Sequence, residues 1–177
     1  QNNSGEKYEF SLCLNGLDIC ATQYSSKYMN ATIHRDGYCY TLHFEKGENI
    51  GGLKKEQSTE IKTGTEIKWL PDRDVFTNID IPVSFFQDIL KKQAIVNAGL
   101  TFVLYDEETD TSFTYVYENG IKDYLKELNE QKEFTEIQYY EHETRGRDRE
   151  DKPEYKLKFQ IAFCFNNEIN LLEYYHN

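Results

Sequence analysis

The sequence predicts an α+β fold whose strands pair mainly antiparallel. Three observations carry that expectation. Asp36-Gly37 separates two alternating runs and supplies a two-residue turn that takes positive φ at both positions. Residues 82–97 carry apolar side chains at helical spacing, with Pro82 suited to the first turn and Gly99 just past the end. Residues 155–163 alternate Tyr155, Leu157, Phe159, Ile161 and Phe163 with Lys156, Lys158, Gln160 and Ala162, the period of a half-buried strand.

The elements follow in chain order. Residues 1–10 are polar and read as a loop. Residues 17–29 suit a helix, with Ile19, Cys20, Gln23, Tyr24 and Tyr28 on neighbouring faces. Strands over 30–35 and 38–44 flank the Asp36-Gly37 turn, and Ile33, Tyr38, Tyr40, Leu42 and Phe44 mark their buried face. Residues 45–58, with Gly47, Gly51 and Gly52, form a connection. Thr63-Gly64-Thr65 opens a strand over 66–70 that Pro71-Asp72 stops. In the helix over 82–97, Phe85, Phe86, Ile89, Leu90, Ile95 and Val96 make an apolar stripe. Strands over 100–105 and 112–117 are joined by an acidic turn, and a third helix after Gly120 spaces Ile121, Tyr124, Leu125 and Leu128 helically. A strand over 133–140 precedes a charged loop, 142–153. Its three arginines are offset by Glu141, Glu143, Asp148, Glu150 and Asp151, so it reads as a solvated hairpin tip rather than a nucleic-acid contact. The boundary between two parts of the chain falls near 129–134, where helical periodicity gives way to charge.

Composition excludes several classes. The chain has 177 residues and a formal charge of −11, against a basic domain that holds nucleic acid by neutralising phosphates. Aromatic residues make up 15% of it, too many for a disordered acidic tail. No stretch approaches the ~18 apolar residues of a membrane span, and the first residues do not resemble a signal peptide, so a soluble, cytoplasmic chain is expected. Cys13, Cys20, Cys39 and Cys164 show no metal-ligand spacing and are expected to be reduced, mostly buried thiols. His34 and His43 lie on opposite arms of the first hairpin, placed for a cross-strand pair rather than a metal site.

No self-sufficient catalytic motif is present: no nucleophile elbow, no P-loop lysine, no zincin helix and no dinucleotide fingerprint. Two segments stand out. Leu14-Asn15-Gly16-Leu17 ends a polar loop before a helix, where backbone N–H groups are able to hold phosphate, although a glycine before a helix is a common arrangement. Thr63-Gly64-Thr65 by itself marks only a tight strand entry.

In this order the segments resemble the ATPase subunit of type IIA DNA topoisomerases, which is the B subunit of gyrase or topoisomerase IV. The resemblance begins with Cys13-Leu14-Asn15-Gly16-Leu17-Asp18 and Cys20-Ala21-Thr22-Gln23-Tyr24-Ser25-Ser26. It continues through Arg35-Asp36-Gly37, Phe44-Glu45-Lys46-Gly47, Thr63-Gly64-Thr65, Trp69-Leu70-Pro71-Asp72 and Val75-Phe76-Thr77. Asn97-Ala98-Gly99-Leu100, Glu118-Asn119-Gly120-Ile121-Lys122-Asp123-Tyr124 and Phe163-Cys164-Phe165-Asn166-Asn167 complete it, collinear over nearly the whole chain.

The resemblance implies a mixed, mainly antiparallel sheet with helices on one face. Residues 1–130 would be the C-terminal half of a Bergerat-type ATPase domain, and 131–177 the first strands of a transducer domain. It implies that Leu14, Asn15, Gly16 and Leu17 offer backbone N–H groups to the phosphates of ATP, and that Thr65 helps to hold adenine. The implied parent uses ATP and Mg2+, pairs with a second copy and with the DNA-cleaving A subunit, and passes DNA. The family's catalytic glutamate, magnesium-binding asparagine and adenine-binding aspartate correspond to positions before Gln1, and its phosphate-sensing lysine to one after Asn177. This segment is therefore expected to hold no catalytic residue or metal ligand, and to bind no nucleotide alone. Cys13 and Asp18 replace two family glycines, and Glu173-Tyr174-Tyr175-His176 replaces the usual Glu/Asp-Gly-Gly-Thr-His. Those departures fit an alternative, a non-catalytic interaction module that kept the fold and lost nucleotide binding.

Overall fold

The computed structural model describes residues 17–59, 62–129, 134–168 and 170–175. The chain divides into two compact units between Ile81 and Pro82.

The first unit holds α1 (Asp18–Tyr24), β1 (Ser26–Arg35), β2 (Tyr38–Glu45), β3 (Glu48–Asn49), β4 (Lys54–Gln57) and β5 (Gly64–Pro71). Its sheet runs β3-β2-β1-β5, with β4 also on β2, and every pairing is antiparallel. Asp36 (φ 54°) and Gly37 (φ 76°) make the expected hairpin turn. The register sorts the side chains by period two. Met29 stands between Phe44 and Trp69, Ala31 between Leu42 and Ile67, and Ile33 between Tyr40 and Thr65, so one face is apolar. On the other face Asn30 stands between His43 and Lys68, Thr32 between Thr41 and Glu66, and His34 between Cys39 and Gly64. Met29 and Ala31 are buried, whereas Ile67 and Trp69 at the β5 edge stay 37% and 42% exposed.

Three expectations change in this unit. The first helix stops at Tyr24 rather than running to residue 29, and Ser26 already begins β1. Ser25 Oγ bonds back to the Ala21 carbonyl at 2.7 Å, and Ser26 Oγ to that of Thr22, so the helix's last carbonyls are satisfied without another turn. From Tyr28 onward the backbone finds ladder partners on both sides, which outweighs the helical spacing of Tyr28. The connection over 45–58 folds back as two edge strands. Its turn uses Gly51 and Gly52 at positive φ, with Gly52 N–H donated to Asn49 Oδ1 at 3.0 Å. Strand β4, Lys54-Lys55-Glu56-Gln57, has no apolar alternation to announce it, and its charges blunt an exposed edge. His34 and His43 are not cross-strand partners: the register sets His34 opposite Cys39 and His43 opposite Asn30.

The second unit holds α2 (Val83–Val96), β6 (Phe102–Asp106), β7 (Thr111–Tyr115), α3 (Ile121–Asn129), β8 (Gln138–Gly146) and β9 (Tyr155–Phe163). Strands β6–β7 and β8–β9 form two antiparallel hairpins. Ala94, Ile95 and Tyr117 are its buried core, packed by Val96, Phe102, Tyr115, Ile121, Tyr124 and Tyr175. Only the C-terminal end of the α2 stripe enters that core; Phe85, Phe86 and Ile89 remain exposed.

Strand β8 lies later than expected and takes in residues 142–146, which read as loop. Their charges form one solvated face of the hairpin. Glu141 meets Lys158 at 2.9 Å and Glu143 meets Lys156 at 3.1 Å, and such opposite-charge cross-strand pairs favour pairing. The tip itself is short and polar, with Arg147 3.4 Å from Glu154. The opposite face carries Tyr140, Leu157, Phe159, Ile161 and Phe163, all exposed. Cys20 is exposed and Cys39 and Cys164 are partly exposed, all three as free thiols, because each lies on a surface helix, a polar sheet face or a strand end. The expectation of mostly buried cysteines is therefore corrected for these three; Cys13 lies outside the described residues.

Hydrogen bonds from Tyr139, Lys158 and Gln160 hold the Glu141 carboxyl down at about 2, from an ordinary 4.5. A depressed carboxylate stabilises the folded state above its unfolded pKa, and that contribution is lost as pH falls through the folded one. Amide signals of β8 and β9 are thus expected to weaken between pH 4.5 and about 2, followed by NMR. In Glu141→Gln this acid limb should flatten.

Candidate functional site

Of the five residues singled out for nucleotide contact, Leu14, Asn15 and Gly16 lie outside the described residues. Leu17 caps α1 with φ −89° and ψ −12°; its carbonyl accepts Ala21 N–H at 2.8 Å, and its side chain is 59% exposed. Asp18 occupies the first turn, exposed. A carboxylate there complements the helix dipole but opposes an incoming anion.

Thr65 is exposed near the start of β5, opposite Ile33 and in line with Tyr40. It shares that face with Ile67 along its own strand and, across Ile33, with Tyr40. A largely apolar surface with hydroxyls toward its margin suits a flat ring that carries polar atoms on its edge. Helix α1 joins the sheet at Ser26, seven residues along β1 from Ile33. At the strand rise that separation is about 23 Å, so Thr65 and the α1 junction occupy opposite ends of the sheet.

Two polar clusters in this unit carry no sequence signal. On the polar face His43 Nδ1 is 2.6 Å from Asn30 Oδ1 and its Nε2 is 3.2 Å from Glu45 Oε1. Asn30 and His43 border an open groove of about 320 Å³ lined also by Thr32, Thr41, Lys54, Glu66 and Lys68. After β5, Lys46 Nζ reaches Asp74 at 2.6 Å and Asp72 at 3.7 Å. The hydrogen bond with Asp74 raises the Lys46 pKa and lowers that of Asp74. Asp72 is 7% exposed and organises the turn: Asp74 N–H donates to its Oδ1, and Val75 and Phe76 N–H donate to its carbonyl. The placement of Asp72 after Pro71 signals only a strand stop. Its link to Lys46 arises because Lys46 follows β2 while Asp72 follows β5, on either side of β1.

In the second unit Glu127 accepts from Tyr117 Oη at 2.6 Å and from Lys91 Nζ at 2.7 Å. Burial pushes Glu127 up, but these two donors outweigh it and leave its pKa lowered. Burial and the bond to Glu127 push Tyr117 above the usual phenol range. The phenol therefore stays protonated and acts as a donor that ties β7's exit to α3, with Lys91 bringing in α2. Among the described residues no cluster of three or more His, Cys, Asp or Glu side chains is placed to hold a metal, and no helix is long and apolar enough to cross a membrane.

No family model matches the chain. Individual relatives do. The B subunit of DNA topoisomerase 4 from Streptococcus pneumoniae serotype 4 is 31% identical over 175 residues, which is 96% of this chain and 26% of the relative. The DNA gyrase B subunit of Chlamydia muridarum is 30% identical over 175 residues, 96% of this chain and 21% of the relative. That of Haloferax volcanii is 29% identical over 174 residues, 95% and 27% respectively. Among solved structures, the 43K ATPase domain of Thermus thermophilus gyrase B, in complex with an aminocoumarin, overlays with a TM-score of 0.60 at 24% identity, covering 76% of this chain and 36% of that one. The topoisomerase IV ATP-binding domain of Francisella tularensis, in complex with a small-molecule inhibitor, gives 0.59 at 24% identity, covering 76% and 39%. At that identity the overlays establish the fold, an α+β arrangement with antiparallel sheets like that of the gyrase B ATPase domain. The chain spans about a quarter of the length of the curated relatives it matches. With identity near 30% running collinearly along almost all of its residues, the chain belongs to the family of B subunits of type IIA DNA topoisomerases.

Proposed function

We propose that the chain is a stretch of the ATP-binding and transducer region of such a B subunit. Residues 1–130 are the C-terminal half of the ATPase domain, and 131–177 open the transducer. The whole protein is then a cytoplasmic, DNA-binding enzyme that couples ATP hydrolysis with magnesium, and dimerisation with a second copy, to strand passage with the DNA-cleaving A subunit. The observation that carries this reading is the collinear 31% identity over 175 residues. Within it, Leu14, Asn15, Gly16 and Leu17 present backbone N–H groups to the phosphates, and Thr65 bonds the edge of adenine from the apolar face of the sheet. The described residues that would hold the nucleotide fit this only in part: Thr65 offers a hydroxyl beside apolar neighbours, while Asp18 brings a carboxylate toward the phosphate end.

Asp18 is what favours a second reading, an interaction module that kept the fold and lost nucleotide. Calorimetry with a non-hydrolysable ATP analogue separates the two. On the first reading the chain alone shows no micromolar binding, because the aspartate that grips adenine and the asparagine that holds magnesium belong to the other half. The full-length polypeptide then binds, and Thr65→Val in it weakens binding about tenfold, the size of one lost hydrogen bond in a desolvated site. No binding by the full-length polypeptide selects the interaction module. Micromolar binding by the chain alone overturns the division into halves.

A further inference from the structure

We infer that Asn129 is a latch that sets the position of the β8–β9 hairpin against helix α3. Asn129 closes α3, and at 4% exposure it is among the most buried polar side chains described. Its Nδ2 donates to the Leu125 carbonyl at 2.7 Å, satisfying a last-turn carbonyl of its own helix, and to Cys164 Sγ at 3.0 Å, just past the end of β9. Its Oδ1 accepts from Asn166 Nδ2 at 2.8 Å. The amide can face only one way, since a flip would set oxygen against the Leu125 carbonyl and nitrogen against the Asn166 nitrogen. One planar group therefore fixes helix end and strand end together.

Among the described residues, little else polar joins these two elements. Lys122 lies over the Tyr139 ring, 4.6 Å from its centroid, at the other end of α3, with both residues half-buried. Phe134 N–H to the Phe165 carbonyl at 2.8 Å and Phe165 N–H to Thr135 Oγ1 at 3.1 Å extend the hairpin's own pairing, not its link to the helix. The β8–β9 ladder and the body of α3 keep their hydrogen bonds if the Asn129 contacts break, while the helix end and Phe165, which lies between Cys164 and Asn166 and pairs with Phe134 beyond the ladder, lose the group that ties them down. Release can thus be local, an opening of one element against another rather than unfolding of either. Asn129 is a positioning residue, and its role rests on geometry alone, independent of the topoisomerase reading.

Hydrogen exchange on this chain tests it, with three variants. Asn129→Asp is nearly isosteric: it keeps the acceptor for Asn166 but loses both donated bonds and sets a carboxylate against the Leu125 carbonyl. Asn166→Ala leaves Asn129's bond within its own helix intact. Lys122→Ala removes only the contact with the Tyr139 ring. The first two are expected to speed exchange at the Asn129, Phe134 and Phe165 amides about tenfold, with the α2 and β7 amides around Ile95 unchanged. The third should leave all of them within about twofold. Unchanged exchange at those three amides in Asn129→Asp and Asn166→Ala overturns the latch. Equal acceleration around Ile95 in both variants also overturns it, because Asn129 would then be an ordinary part of the core.

Discussion

Ile95→Ala is expected to cost the second unit about 2–5 kcal/mol, the range for deleting most of a fully buried aliphatic side chain. Ile95 is 2% exposed and lies beside Ala94, which is fully buried, against Tyr117 and the partly buried Phe102, Tyr115, Ile121 and Tyr124. These neighbours come from a helix, two strands and a second helix, so no single side chain is placed to collapse into the space. Part of the cost is transfer of the lost methylenes and part is the cavity left behind. Urea denaturation followed by NMR at the Ile95, Tyr117 and Tyr124 amides measures it, since these residues belong to this core. Phe85→Ala on the same helix is the contrast. At 51% exposure its removal should shift the same transition by less than about 1 kcal/mol. Equal effects at the two positions would mean that the α2 stripe is buried along its whole length.

Gly47→Ala is expected to destabilise the first unit by about 1–3 kcal/mol. Gly47 has φ +88°, where an L side chain is strained, and a Cβ there would fall 2.2 Å from Tyr24 Cδ1. The glycine lets the turn after β2 pass under the Tyr24 ring, while its carbonyl accepts from Gln23 Nε2 at 2.6 Å. The two penalties separate experimentally. Gly37→Ala meets the same kind of φ, +76°, with nothing within 4 Å, and so isolates the backbone cost. Tyr24→Ala in the Gly47→Ala background removes the clash, and a double-mutant cycle by thermal unfolding gives its size. A cycle that sums to zero would show that the Tyr24 ring, 64% exposed, simply swings aside.

The parts of the fold legible in the sequence are those whose signal is local. Asp36-Gly37 demands positive φ, and the structure supplies it at both residues. Gly99 takes φ +80° just past the Asn97 cap of α2, where the sequence places a glycine after the helix. The alternation over 155–163 appears as β9, with its lysines on the charged face. Where the signal depends on partners distant in sequence, local pattern misleads. Tyr28 keeps helical spacing with Tyr24, yet β2 and β5 draw it into a strand. Lys54-Lys55-Glu56-Gln57 carries no hydrophobic period, because an edge strand on a solvated margin needs none. Residues 142–146 read as a loop because their charges look solvent-bound, whereas Lys156 and Lys158 lie directly across from Arg145 and Glu143.

The candidate site divides the same way. Thr65 stands out by its motif, and only the register with Ile33 and Tyr40 places it on the apolar face of the sheet. The Lys46–Asp72–Asp74 cluster and the Asn129–Cys164–Asn166 cluster each join residues more than twenty-five positions apart, and no spacing rule reaches that far.

The sequence by itself determined the α+β class, the hairpin turn, the ends of α2 and, through collinear motifs, the family. Each structural feature among these is written in residues that act on their own backbone or on neighbours one turn away. Only the tertiary structure decided which polar side chains are buried, which apolar faces stay open, and where β8–β9 is tied to α3. Those outcomes depend on what pairs across space, where the free energy of a buried amide or an ion pair is set by a partner that its own segment does not encode.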